Sequence, residues 1–120
     1  MATPNIVSPT TITPKSPVVV GVTTTLSSAL ANGSSSNKAI RVESIICSNV
    51  DGTSAADLSV SVYDGSTHGY ICKTLSVPAD ATQLVIIKDT GFWLEEGWSI
   101  YAQASADNDL QLLINTTEFT

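Results

Sequence analysis

From residue 18 onward the apolar residues of this chain recur with a period of two, not the roughly 3.6 of a helix, and this limits the fold most. In "LSVSVY", Leu58, Val60 and Val62 share one side of an extended chain, while Ser59, Ser61 and Tyr63 share the other. "LQLLIN" repeats the pattern with Leu110, Leu112 and Ile114. Such alternation buries one face of a strand and leaves the other polar, whereas a helix would scatter the same side chains around its axis. "AIRVESIIC" begins in phase with Ile40 and Val42, then breaks at Ile45, Ile46 and Cys47. That break implies a bulge or a strand covered on both faces. Strands are expected over 18–30, 39–50, 57–64, 68–75, 82–88, 98–104 and 110–118. Between them Asp51-Gly52 and Asp64-Gly65 are hairpin-type pairs, and Pro78-Ala79-Asp80 and Glu96-Gly97 are turns. "NGSSSN" at 32–37 reads as a short flexible connector. Short strands at regular intervals, with no helix of useful length, predict an all-β fold: an antiparallel, jelly-roll-like β-sandwich.

The first 17 residues have a different character. Pro4, Pro9, Pro14 and Pro17 are four of the chain's five prolines. Proline removes a backbone donor and disfavours helix before it, so an extended N-terminal arm is expected over 1–17, with the sandwich domain over 18–120. Such an arm either hangs loose or lies on a neighbouring subunit and orders there. The 120 residues suffice for one domain with a modest core.

Charge then narrows the function. Only 13% of residues are charged, about half the usual share, and Ser, Thr, Ala and Val make up the difference. A neutral, hydroxylated surface can pack against neighbours without desolvating many ions, which suits a subunit of an assembly. A formal net charge of -6 argues against nucleic acid, since phosphate contacts need clustered Lys and Arg. Lys38 and Arg41 are the only basic residues close together, and Glu43 offsets them. No stretch approaches the roughly 18 apolar residues of a membrane span, so a soluble, cytoplasmically made chain without a membrane partner is expected. Cys47 and Cys72 read as small buried hydrophobes rather than a disulfide. With a single histidine they match no zinc signature, and neither metal nor cofactor is expected.

Catalysis needs convergent polar groups, and each candidate reads more simply as structure. Glu95 and Glu96 resemble a glycosidase pair, yet neighbours in an extended chain point opposite ways, and turn residues before Gly97 account for both. His68 could join Asp64 in a serine triad, but no Gly-x-Ser-x-Gly elbow exists, and an exposed turn histidine is the expectation. Asp107-Asn108-Asp109 begins like a calcium loop but lacks its glycine and its distant glutamate. An enzyme is not expected.

Phe92, Trp93, Trp98 and Tyr101 lie within ten residues, as exposed rings do in carbohydrate-binding modules. Strand parity puts Trp98 with Ile100 and Ala102 on the core side, and Tyr101 with Ser99 and Gln103 opposite. Core and rim packing is the first reading of these rings, an intersubunit anchor the second and sugar stacking the third. Pro4, Pro9, Pro14, Pro17, Trp93, Trp98 and Tyr101 are therefore the candidate interface residues.

The order of strands and turns also resembles a known group. "AIRVESIICSNVDGTSAADLSVSVYDGS" followed by "ICKTLSVPADATQLVIIKDTGFWLEEGWSIYAQASADNDLQLLINTTEF" is similar to the small β-sandwich virion proteins of tailed bacteriophages, of the capsid decoration or cement type. The shared pattern is an apolar strand ending in a "SNVDG"-like turn, a strand ending in "YDGS", a "LSVPAD"-like segment, an "L-E-x-G" element and a final alternating strand. It covers about residues 38–119 and departs from the group at Trp98, where a small acidic residue usually follows the glycine. The resemblance implies a virion protein without catalytic function, binding the major capsid protein or other virion proteins as a symmetric oligomer, a trimer most commonly. A neck, tail or fibre position is the alternative it leaves within the virion. A sandwich module recognising host surface glycans is the alternative outside that class.

Overall fold

The alternating segments form two antiparallel sheets in the computed structural model, which describes residues 9–120. The strands are β1 (Ile12–Pro14), β2 (Val18–Gly21), β3 (Ser27–Ala31), β4 (Ala39–Asn49), β5 (Ala56–Tyr63), β6 (His68–Val77), β7 (Thr82–Ile86), β8 (Phe92–Leu94), β9 (Ser99–Ala104) and β10 (Leu110–Phe119). One sheet has six strands in four columns: β1 and β2 share the column beside β10, then comes β4, and β7 and β8 share the far column. The other has the order β3-β9-β5-β6. The chain crosses between sheets after β2, β3, β4, β6, β8 and β9. This interleaving of two four-column sheets is the jelly-roll arrangement.

The core lies where the sequence alternates. Val42, Ile45, Cys47, Leu94, Leu110, Leu112 and Ile114 from one sheet meet Leu58, Val60, Val77 and Ile100 from the other, all fully buried. Burying an aliphatic side chain of this size is worth about 1.5–3 kcal/mol, so period two is itself the main fold-determining signal.

Some expectations need correction. The stretch 18–30 is not one strand: β2 ends at Gly21 and β3 begins at Ser27 in the opposite sheet, with the buried Val22 at the crossing. Asp51-Gly52 is not a hairpin, because β4 and β5 belong to different sheets, whereas Asp64-Gly65 does turn β5 into β6. β8 was not expected; after a 3-10 turn at Lys88–Thr90 it continues the column of β7. The break in β4 is resolved by register shifts on both sides of the strand, which keep Ile45 and Cys47 inward and turn Ile46 outward. The 32–37 connector is pinned rather than flexible. Asn32 is buried, its side-chain amide donates to the carbonyls of Lys38 and Leu94, and its side-chain oxygen accepts from Ser36 Oγ.

Asn49 does the same work at the end of β4. Its amide donates to the carbonyls of Ser54 (3.0 Å) and Val77 (2.9 Å), and its oxygen accepts from the Asp51 N–H (2.9 Å). One side chain thus ties β4, the crossing loop and the end of β6 together.

Both cysteines are free thiols, Cys47 buried and Cys72 half-buried. Burial, with a smaller contribution from the nearby Cys72, pushes the Cys47 thiol from its ordinary 9.0 up to about 11. Between those pH values the unfolded chain has released a proton that the folded chain keeps, so stability is whole below pH 9 and declines as pH rises through 11. Comparing denaturation midpoints at pH 8 and pH 11 tests this: Cys47→Ala should lose less stability over that interval than the unsubstituted protein. Equal losses would show that the thiol is not shielded.

Candidate functional site

Of the proline-marked stretch, Pro4 lies outside the described residues. Residues 10–15 run along β10 of the same chain, with Ile12 opposite Phe119 and Pro14 opposite Thr117; the Thr10 and Thr11 N–H groups donate to the Thr120 carbonyl just past β10, and the Lys15 N–H donates to that of Thr116. Pro14 and Pro17 sit in the outermost column, where a missing N–H disrupts no interior ladder. Trp93, Trp98 and Tyr101 go to three different places. Trp98 packs against the core. Trp93 stands on the outer face of the six-stranded sheet, 38% exposed, with Phe119 at 5.1 Å between ring centroids and the Arg41 guanidinium 5.6 Å from its ring. Tyr101 is on the outer face of the four-stranded sheet.

The outer face of the six-stranded sheet carries the surface feature that sequence reasoning missed. Register pairs Val19 with Leu113, Leu113 with Ile46, and Ile46 with Leu84. These four apolar side chains form a row straight across all four columns on the solvent side. Val19 is 67% exposed and Leu84 58%, with Ile46 and Leu113 half-buried between them. Gln111 and Ser48 flank the row on one side, and Asn115 and Ser44 on the other. Beyond the second belt lie Arg41, Trp93, Phe119 and Ile12. Isolated exposed apolar residues are ordinary; four aligned in register are a contiguous patch. The signal was present in the apolar runs within "VVV", "SII", "LLI" and "LVII", which leave Val19, Ile46, Leu113 and Leu84 facing outward.

The opposite outer face is polar and aromatic. Tyr63 stacks on His68 with centroids 4.4 Å apart, and Tyr101 meets both rings edge-on at 5.3 and 5.0 Å. The Lys73 ammonium covers Tyr70 at 4.8 Å. The rings pack on one another and on Lys73, whereas sugar stacking requires free coplanar faces. Beside them is a shallow groove of about 220 Å³ lined by Asp57, Ser59, Thr74, Gln103, Ala104 and Ser105. Its polar groups serve the chain's own backbone: Ser59 Oγ accepts from the Thr74 N–H, Ser105 Oγ from the Asp57 N–H, and Gln103 donates to the Thr24 carbonyl.

The groups considered for chemistry are also placed. His68 is not an exposed turn residue; it opens β6, half-buried, with Nδ1 2.9 Å from Ser61 Oγ. Ser61 is fully buried, out of reach of a substrate in solvent. Asp64 does not join them. Its carboxylate accepts the Thr67 and Ser66 N–H groups at 2.7 and 2.8 Å, which hold it below the usual carboxylate range. Glu95 is exposed, while Glu96 is 3% exposed and accepts the Asn37 N–H at 2.9 Å. Glu96 thus clamps the 32–37 connector to its own turn, a role the turn reading did not foresee; its Oε1 is buried with no partner among the described residues. Asp107 accepts the Thr24 N–H at 2.8 Å. Among the described residues no three His, Cys, Asp or Glu side chains gather as metal ligands, and no helix is long and apolar enough to cross a membrane.

No family model matches this chain, and no curated protein does. Solved structures similar to it include a crystal structure of a pentameric capsid protein isolated from metagenomic phage sequences, with a TM-score of 0.41 and 16% identity over 88% of this chain and 60% of that one. A second, of the same description and solved by iodide SAD phasing, has a TM-score of 0.40 and 16% identity over 88% of this chain and 65% of that one. The chain thus spans less than two thirds of the length of either.

Proposed function

We propose that this chain is a non-enzymatic structural protein of a bacteriophage virion, a decoration or cement protein that binds the outer shell between capsomers and stabilises it. The resemblance of residues 38–119 to small virion sandwiches supports the virion setting. The adhesive mechanism rests on one observation: a neutral sheet face crossed by an in-register apolar row, which gains free energy only when another protein covers it. Few charges need desolvation there, so modest contacts can be favourable and the symmetry of a shell multiplies them. The shell's major capsid protein is the proposed partner.

Heads purified from infected cells should carry the protein, and heads lacking it should burst at lower temperature or after milder osmotic shock. Recovery in tail fractions alone would assign it to the neck, tail or fibre instead.

A further inference from the structure

We propose that the outer face of the six-stranded sheet pairs with the same face of a second copy of this chain, about a two-fold axis running along the strands between β10 and β4. This rests on the adhesive reading above and specifies what covers the patch in the free protein, before the shell takes its place.

The argument begins with the edges, which are poor places to add a strand. The β1/β2 column is interrupted around Pro14 and Pro17, and the β7/β8 column by the 3-10 turn. β3 is short and bulged. β6 carries two register shifts and has Thr74, a β-branched residue, at φ 52°. Irregular, proline-bearing edges suppress strand-to-strand association, which leaves the faces.

Of the two faces, the one on the six-stranded sheet matches itself. The proposed axis sets each column against its symmetry mate, so β10 lies over β4 of the other copy and β2 over β7. Residues already in register then meet across the interface: Leu113 with Ile46, Val19 with Leu84, Gln111 with Ser48 and Asn115 with Ser44. Apolar meets apolar, and carboxamide meets hydroxyl, groups that each donate and accept. Arg41 meets Thr117 rather than a second arginine. Such self-complementarity is what a two-fold interface requires. Sheets packed face to face in this way lie about 10 Å apart with strands within about 30° of alignment.

Area sets the strength. The span from Gln111 to Phe119 by four columns is about 27 Å by about 19 Å, or roughly 500 Å² per copy. Two copies bury roughly 1,000 Å², at the threshold for a specific interface, so the pair should be weak and concentration-dependent. On a shell the two contacts compete, because a copy docked through this face cannot also pair through it. The trimer expected from the resemblance would need a separate, head-to-tail surface.

Sedimentation velocity on the full chain, from micromolar to millimolar concentration, tests the proposal. The unsubstituted protein should shift from monomer to dimer. Val19→Lys and Leu84→Glu alter exposed outward positions and should leave the circular dichroism spectrum and melting temperature unchanged, while each weakens dimerisation by at least about tenfold. Combining the two should recover much of the loss, because opposite charges then face each other twice across the axis. A monomer at every concentration overturns the proposal. So does a dimer indifferent to both substitutions, or a double variant no better than the singles. If the unsubstituted protein stays monomeric while Leu84→Glu abolishes attachment to phage heads, the pairing is wrong and the cement reading stands. If it dimerises as described but never attaches to heads, the pairing stands and the cement reading is wrong.

Discussion

Truncating Leu112 to alanine is expected to lower the unfolding free energy by about 3 kcal/mol, while the same change at Leu113 costs under about 1 kcal/mol. Leu112 is fully buried at the centre of the core, and alanine there leaves a cavity that two rigid sheets cannot close. Leu113 points outward into the apolar row, where truncation removes surface without opening a void. Urea unfolding curves with equal slopes would give both values from their midpoints. The contrast matters more than either number, because a register slip of one residue would exchange the two positions. Equal losses would contradict the assigned register of β10.

A second large effect is expected at Asn49. Asn49→Ala should destabilise the protein by about 2–4 kcal/mol, more than a small polar-to-alanine change on the surface, which is usually within about 0.5 kcal/mol. The cause is what the truncation strands: the Val77 and Ser54 carbonyls and the Asp51 N–H lose their partner together. Asn49→Asp should fare no better, since a carboxylate cannot donate to either carbonyl and adds a buried charge. The same urea series measures both, and a loss below about 1 kcal/mol for Asn49→Ala would mean that water replaces the side chain at little cost.

How far the sequence could be read follows from which interactions leave a local trace. Alternation in "LSVSVY" and "LQLLIN" located β5 and β10, because burial of one face acts on every second residue. The Asp64-Gly65 turn was legible because Asp64 bonds the N–H groups two and three residues on, and Gly65 takes φ 99°. Asp51 likewise accepts the N–H two residues on, from Thr53, but which sheet the next strand joins depends on distant partners. β8 has three residues, too few to show a period, and exists because β4 offers Ile40, Arg41 and Val42 as a template. The roles of Asn32, Asn49 and Glu96 were hidden for a related reason: a buried polar clamp looks like a turn residue until its partner, as much as 62 positions away, is known. Trp98 was placed correctly by parity, whereas the apolar row was not foreseen, since each strand contributes only one outward residue to it.

The central claim is that this protein works by having the outer face of its six-stranded sheet covered by protein. Hydroxyl-radical footprinting of the assembled particle against the dilute free chain measures that cover side chain by side chain. Trp93 and Leu84 should be oxidised readily in the free chain and protected in the assembly, while Tyr70 on the other sheet changes far less. Equal oxidation of Trp93 and Leu84 in both states would contradict the account.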